Sequence, residues 1–192
     1  MGTRNLTCVY LNGEFKVAQY GQWDGHPDGQ GRTILDFLDN VNYGEFRKKI
    51  SNLHFITDDE QKELDNFFEE IGSKDGWLDL EQSKKYQEKY YHLSRDRGAE
   101  ILKLIMEDKV PFLENQIEFA KDSLFCEWCY IIDIDQDILE VYIGSNKKPL
   151  KPTDRFYEKD QEPDNQGYYP IKLKATFPLG TINRKEFFEL QK

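Results

Sequence analysis

The sequence predicts a single α+β domain, residues 1–192, in which antiparallel hairpins pack against a central helical section. Three observations carry this. Two runs of alternating character flank an Asn-Gly pair near the N-terminus, and a second such pair of runs lies at 125–143. Between them apolar residues recur at helical spacing. A chain of 192 residues suffices for one domain with a real core. Hydrophobic residues make up 38%, aromatic residues 14%, and there are only 7 prolines, a composition that folds.

The first hairpin comprises 6–11 and 14–20, joined by Asn12-Gly13, because both loop positions of a type I′ turn need positive φ. A plain two-residue loop sets Tyr10 opposite Phe15, Cys8 opposite Val17 and Leu6 opposite Gln19, and this side is expected on the core. Val9 then faces Lys16, Thr7 faces Ala18 and Asn5 faces Tyr20. One end of the hairpin thereby gathers Thr3, Arg4, Asn5, Gln19, Tyr20, Gln22, Trp23 and Asp24, an unusual density of hydrogen-bonding groups. The loop that follows, DGHPDGQG, holds three glycines, a proline and two aspartates. It reads equally as a ligand-binding loop or as a connection whose side chains satisfy turn amides.

The helical section begins at 33–41, where Ile34, Phe37, Leu38 and Val41 share a face. Phe46, Ile50 and Leu53 continue it. Thr57 and Glu60 form a capping box ahead of Leu64, Phe67, Phe68 and Ile71, with Gly72 as the stop. The acids of that helix read as a solvated face, since a nucleic-acid mimic needs a wholly negative surface. A turn is expected at 74–77. From Asp79 another pattern runs through Leu80, Tyr86, Tyr90 and Leu93 to Ile101, Leu104 and Ile105; either one long helix tolerates Gly98 or, the favoured reading, a break or kink falls near Leu93 and Ser94 caps a second helix. Arg95 and Asp96 then stand at a helix start, pointing at a pocket or paired between helices.

Pro111 closes the section. The second hairpin, 125–134 and 138–143, turns at Gln136-Asp137. Strand parity puts Cys126, Trp128, Tyr130, Ile132 and Ile134 on one face and Glu127, Cys129, Ile131 and Asp133 on the other. Cys126 and Cys129 are thus expected on opposite faces, which together with scattered histidines argues against zinc or a redox pair. Asp133, Asp135 and Asp137 lack the glycine and glutamate of a calcium loop. Glu127, mid-strand among apolar neighbours, is either paired, shifted in pKa, or at an edge facing water. The polar stretch 147–167 is long for a simple connection. A strand at 168–177 and a short helix at 184–190 end the chain.

With 26 basic and 36 acidic residues the formal charge is −10, interspersed rather than in a tail, which disfavours a phosphate-backbone partner. No apolar run is long enough to span a bilayer and no signal-peptide pattern opens the chain, so the expected location is cytoplasmic, with three free thiols. No cofactor or metal signature is present.

The stretches TRNLTCVYLNGEFKVAQYGQWDGHPDGQG, SRDRGAEIL, DSLFCEWCYIIDIDQDILEVYIG and YYPIKL resemble a family of uncharacterised proteins encoded in phage, bacterial and fungal genomes, over nearly the whole chain. That resemblance implies no activity. The element order, two strands, several helices, then more strands, is similar to the layered αββα arrangement of N-terminal-nucleophile hydrolases. There a Thr, Ser or Cys opens strand one and its own amine acts as base. Thr3 stands near that place, but removal of Met1 exposes Gly2, so the mechanism does not carry over.

Two functions follow. One is a pocket protein that binds or hydrolyses a small polar molecule, nucleotide-like or amide-bearing. In it Arg4 and Arg95 hold an anion, Trp23 or Tyr20 stacks, Asn5, Gln19 and Gln22 orient, and Asp24, Asp96 or Glu127 serves as acid or base. The other is a phage-type inhibitor that meets a host protein through the acidic, aromatic-rich surface.

Overall fold

In the computed structural model, which describes residues 2–73, 77–157 and 162–191, five strands form one sheet in the order β2-β1-β3-β4-β5. They are β1 (Asn5–Leu11), β2 (Glu14–Gly21), β3 (Trp128–Asp133), β4 (Ile138–Ile143) and β5 (Lys172–Pro178). All neighbours are antiparallel except β1 and β3, which run parallel. A parallel pair needs a long crossover, and the helical section supplies it. Its helices are α1 (Arg32–Asn40), α2 (Tyr43–Asn52), α3 (Asp58–Glu70), α4 (Leu80–Lys89) and α5 (Ile101–Met106), with α6 (Arg184–Glu189) near the C-terminus. The result is α+β. Because the described strands lie in one sheet, the two stacked sheets of an αββα sandwich are not formed.

The Asn-Gly turn forms as expected, with φ of 56° at Asn12 and 80° at Gly13. Tyr10 faces Phe15 and Leu11 faces Glu14, but the register then slips, and Val9 faces Val17, Cys8 Ala18, Thr7 Gln19, Leu6 Tyr20 and Asn5 Gly21. Lys16 is the extra residue of a bulge. A plain register would send Val17 to the face of Cys8. The bulge instead puts Val17 beside Val9 and Leu11 under the helices, while Lys16 turns to Glu14 at 2.6 Å.

Both faces of the sheet are covered. On the helical face Val9, Val17, Tyr130, Ile132 and Val141 pack against Leu35 of α1, Phe46 and Ile50 of α2, Leu102 and Ile105 of α5, and Phe187 of α6. On the other face Leu6, Cys8, Ala18, Cys129, Ile131 and Tyr142 meet Ala120, Cys126 and Ile171 from the connecting segments. Cys126 precedes β3, so strand parity does not govern it. Its thiol lies in the same buried cluster as those of Cys8 and Cys129, not on the opposite face. Burial pushes the Cys126 and Cys129 thiols well above their usual range. No group of three or more His, Cys, Asp or Glu among the described residues is placed to hold a metal.

The capping box is complete: the Thr57 hydroxyl accepts from Glu60 N and the Glu60 carboxylate accepts from Thr57 N. Gly72, at φ 75°, ends the chain's run beyond α3. The turn expected at 74–77 lies outside the described residues except for Trp77. The break near Leu93 is real, though Ser94 does not open the next helix; it closes a 3-10 turn, Tyr91–Leu93, and a second, Gly98–Glu100, leads into α5. A satellite cluster of Leu64, Phe67, Tyr90, Leu93 and Phe112 holds α3 and α4. No helix among the described residues is long and apolar enough to cross a membrane.

The segment after β4, of which 158–161 lie outside the described residues, is held down by Arg155. Its guanidinium donates to Glu140 Oε2 at 2.8 Å and to Asp133, and lies 4.4 Å from the Tyr10 ring centre. Tyr142 donates to the same Glu140 oxygen at 3.2 Å. Burial alone would lower the Arg155 pKa, but the bonds to Glu140 and Asp133 hold it above its ordinary value.

Arg155→Ala leaves Asp133 and Glu140 buried without a cation and is expected to cost about 3–5 kcal/mol in urea denaturation. Arg155→Lys recovers only part of this, because a compact ammonium lacks the wide planar set of donors by which the guanidinium reaches both carboxylates. A loss below about 1 kcal/mol would place the segment's anchor elsewhere. His92 is 4% exposed, beside Phe112, and burial depresses its pKa from 6.5 to about 4. Within that window the unfolded chain takes up a proton that the folded chain refuses. Stability is therefore full above the window and falls as pH drops through it, by up to ~3 kcal/mol. His92→Phe should flatten this slope in denaturation series between pH 7 and 4; an unchanged slope excludes His92 as its source.

Candidate functional site

The polar end of the hairpin is assembled mostly by the protein for itself. Asn5 is fully buried, and its Nδ2 donates to the carbonyls of Gly21 and Trp23, each at 3.2 Å. Gln19, 3% exposed, donates to the Tyr20 carbonyl at 3.0 Å. The glycine loop is wound as a short π-helical turn, Pro27–Gly31. Gly29 is required there by close approach, since a Cβ would stand 2.2 Å from the Asp24 carbonyl. Asp24 itself adopts φ 53°, and its carbonyl accepts from Gln30 N at 2.7 Å. The Gln30 amide then bridges the Trp23 carbonyl, at 3.2 Å, to the Ala99 N–H, at 2.7 Å. The loop therefore packs backbone on backbone.

The predicted residues separate into three places. Thr3 shares a hydrogen bond of 3.0 Å with His26, and Arg4 lies 4.7 Å from the Phe125 ring centre. Glu127 precedes β3 instead of standing within it, is exposed, and accepts from Arg4 N at 3.2 Å. It lines a cavity of about 200 Å³ with Trp128 and Lys174. Asp24 is exposed and reaches neither group.

Arg95 and Asp96 form the third place. Gln22 N donates to the Arg95 carbonyl at 3.0 Å, and the Trp23 indole donates to Asp96 Oδ1 at 2.8 Å. These bonds lash the segment 93–96 to the hairpin end. Beside it opens a cavity of about 650 Å³, lined by Phe68, Trp77 and Tyr86 together with Ser94, Arg95, Asp96, Glu114 and Gln116. Tyr20 and Gln22 stand behind this wall, joined by a 2.6 Å hydrogen bond from the Tyr20 hydroxyl to Gln22 Oε1. Burial raises the Tyr20 pKa against the opposing charges of Arg4 and Arg95. Gln116 connects wall and sheet, because its Oε1 accepts from Tyr20 N at 2.6 Å and its backbone N donates to the Ala18 carbonyl.

Glu114, Gln116, Tyr86 and Trp77 did not emerge as site residues from the sequence. Glu114 is half-buried, and burial raises its pKa, opposed only by the Gln116 amide donating to Oε2 at 2.9 Å. Tyr86 is pushed up to about 12, chiefly by burial and then by the Glu114 charge. Among the described residues no cation pairs with Glu114, and the Arg95 guanidinium has no carboxylate partner. A cavity of about 580 Å³ between α1, α2 and α5 centres on Phe37, Val41 and Met106; Asp36, Glu45, Glu100 and Lys103 also line it, but none of the residues predicted from the sequence as site residues does. Chemistry favours the first.

Comparison with protein-family models, curated proteins and solved structures gives no match for this chain.

Gln30→Ala breaks the bridge from the glycine loop to Ala99 and is expected to cost about 1–2 kcal/mol in urea denaturation. An unchanged midpoint would show that the loop is held without it.

Proposed function

We propose that this protein binds a small polar molecule in the cavity beside Arg95 and Asp96. The observation that supports the reading most is a pair of unmatched charges in one aromatic-walled space. Neither Arg95 nor Glu114 has an oppositely charged partner among the described residues, and both line the same cavity. A half-buried carboxylate without a cation is a cost to folding, kept where something else offsets it. A volume of about 650 Å³ falls in the range of small-ligand sites. Trp77, 82% exposed, offers a ring face to a ligand, and Tyr86, stacked on Phe68 at 5.4 Å, adds an aromatic lining. Asp96 and Glu114 are the two carboxyls in position for acid–base work if the bound molecule is hydrolysed.

Titration of isotope-labelled protein with a library of polar metabolites tests this. Chemical-shift changes are expected at Trp77, Tyr86, Arg95 and Gln116, and Arg95→Ala should weaken them with less than a 2 °C change in melting temperature, as about expected for an exposed residue. Binding confined to the groove between α1, α2 and α5, or to no site at all, sinks the proposal.

A further inference from the structure

We infer that the ligand of this cavity is a zwitterion of the amino-acid or short-peptide type, its ammonium on Glu114 and its carboxylate on Arg95, with an aromatic or apolar body against Tyr86 and Trp77. The inference rests on the binding role proposed above and deepens it.

The two charged groups constrain the ligand separately. Glu114 presents a carboxylate of which one oxygen, Oε2, is taken by the Gln116 amide, leaving Oε1 without a protein donor among the described residues. A carboxylate half out of water accepts most strongly from a charged donor, and an ammonium has three N–H groups to offer. Gln116 cannot swing away to serve another partner, because its Oε1 is held by Tyr20 N. Glu114 is thus a fixed acceptor, oriented before any ligand arrives. Burial, which disfavours its charged form, is what a docked cation would offset.

Arg95 lines the same cavity. Its backbone is pinned by Gln22 N, and its side chain is exposed and unpaired. The neighbouring Asp96 accepts from the Trp23 indole through Oδ1 and forms no ion pair with the guanidinium among the described residues. A planar fork of donors suits a carboxylate, which it can hold in two parallel bonds. A purely anionic ligand would bring its charge into a space that already holds Glu114 and Asp96. A purely cationic one would leave Arg95 unmatched. A molecule carrying both charges satisfies both groups, and the rings of Phe68, Tyr86 and Trp77 line the space for its body.

Three indoles that differ only in charge provide the test: tryptophan, tryptamine and indole-3-propionate, titrated by calorimetry and by shifts of the cavity resonances. Tryptophan is expected to bind tightest. Glu114→Gln should weaken tryptophan and tryptamine by about tenfold, the value of one charge-assisted bond, and leave indole-3-propionate unchanged or improved. Arg95→Ala should weaken tryptophan and indole-3-propionate while sparing tryptamine. Equal affinities for the three, a preference for either singly charged probe, or variants that weaken all three alike overturn the zwitterion. If a library ligand occupies the cavity while none of the indoles does, the zwitterion fails and the binding role stands. If nothing enters the cavity, both fall.

Discussion

Strand β1 is hydrogen-bonded along both edges and buried on both faces, and most of the architecture answers that demand. Its parallel neighbour β3 cannot be reached by a tight turn, so the chain must leave the sheet and return from the far end. The helices made on that excursion cover one face. The excursion also lays 93–96 across the hairpin end and brings Glu114 and Gln116 back along β2. The cavity is the space between these two passes. Its walls are set by the crossover more than by any local motif.

The sheet handles buried charge in two ways. On the face away from the helices, Asp133 and Glu140 share Arg155, with Tyr142 and Tyr10 completing the surroundings. There each carboxylate bonds a cation within the protein, and the arrangement fastens a segment whose described residues form no helix or strand before β5. Around Glu114 the match is missing. Desolvation is comparable in kind at both places, and only the presence of a cation differs. The proposed binding role rests on that contrast.

Local signals were legible in the sequence, and distant ones were not. Asn12-Gly13 marks a turn whatever surrounds it, and Thr57 with Glu60 encloses a helix start within four residues. Both are governed by chemistry among near neighbours. The bulge at Lys16 follows from a tertiary requirement, that Val17 lie under α2 and not beside Cys8, and no spacing announces it. Cys126 escapes strand parity for a related reason, because β3 begins two residues later. The polar density of the hairpin end was visible, yet much of it proved to bind backbone. Asn5 and Gln19 are interior struts, whereas Arg95 and Asp96, far along the chain, carry exposed groups to the cavity. Glu114 gave no signal, since it stands in a stretch without periodicity.

The parallel pairing of β1 with β3 also sets an order of events during synthesis. The N-terminal hairpin leaves the ribosome first, but the strand that must cover its inner edge is encoded after the whole helical section. At ~5–20 residues per second, that wait is on the order of ten seconds. For its duration β1 presents an open edge and two apolar faces, the condition in which strands find wrong partners. Helices α1 and α2, made next, can shield one face at once; the face that holds Leu6 and Cys8 must wait for segments made near the end. The nascent chain is therefore most exposed on the side that the finished protein covers with loops.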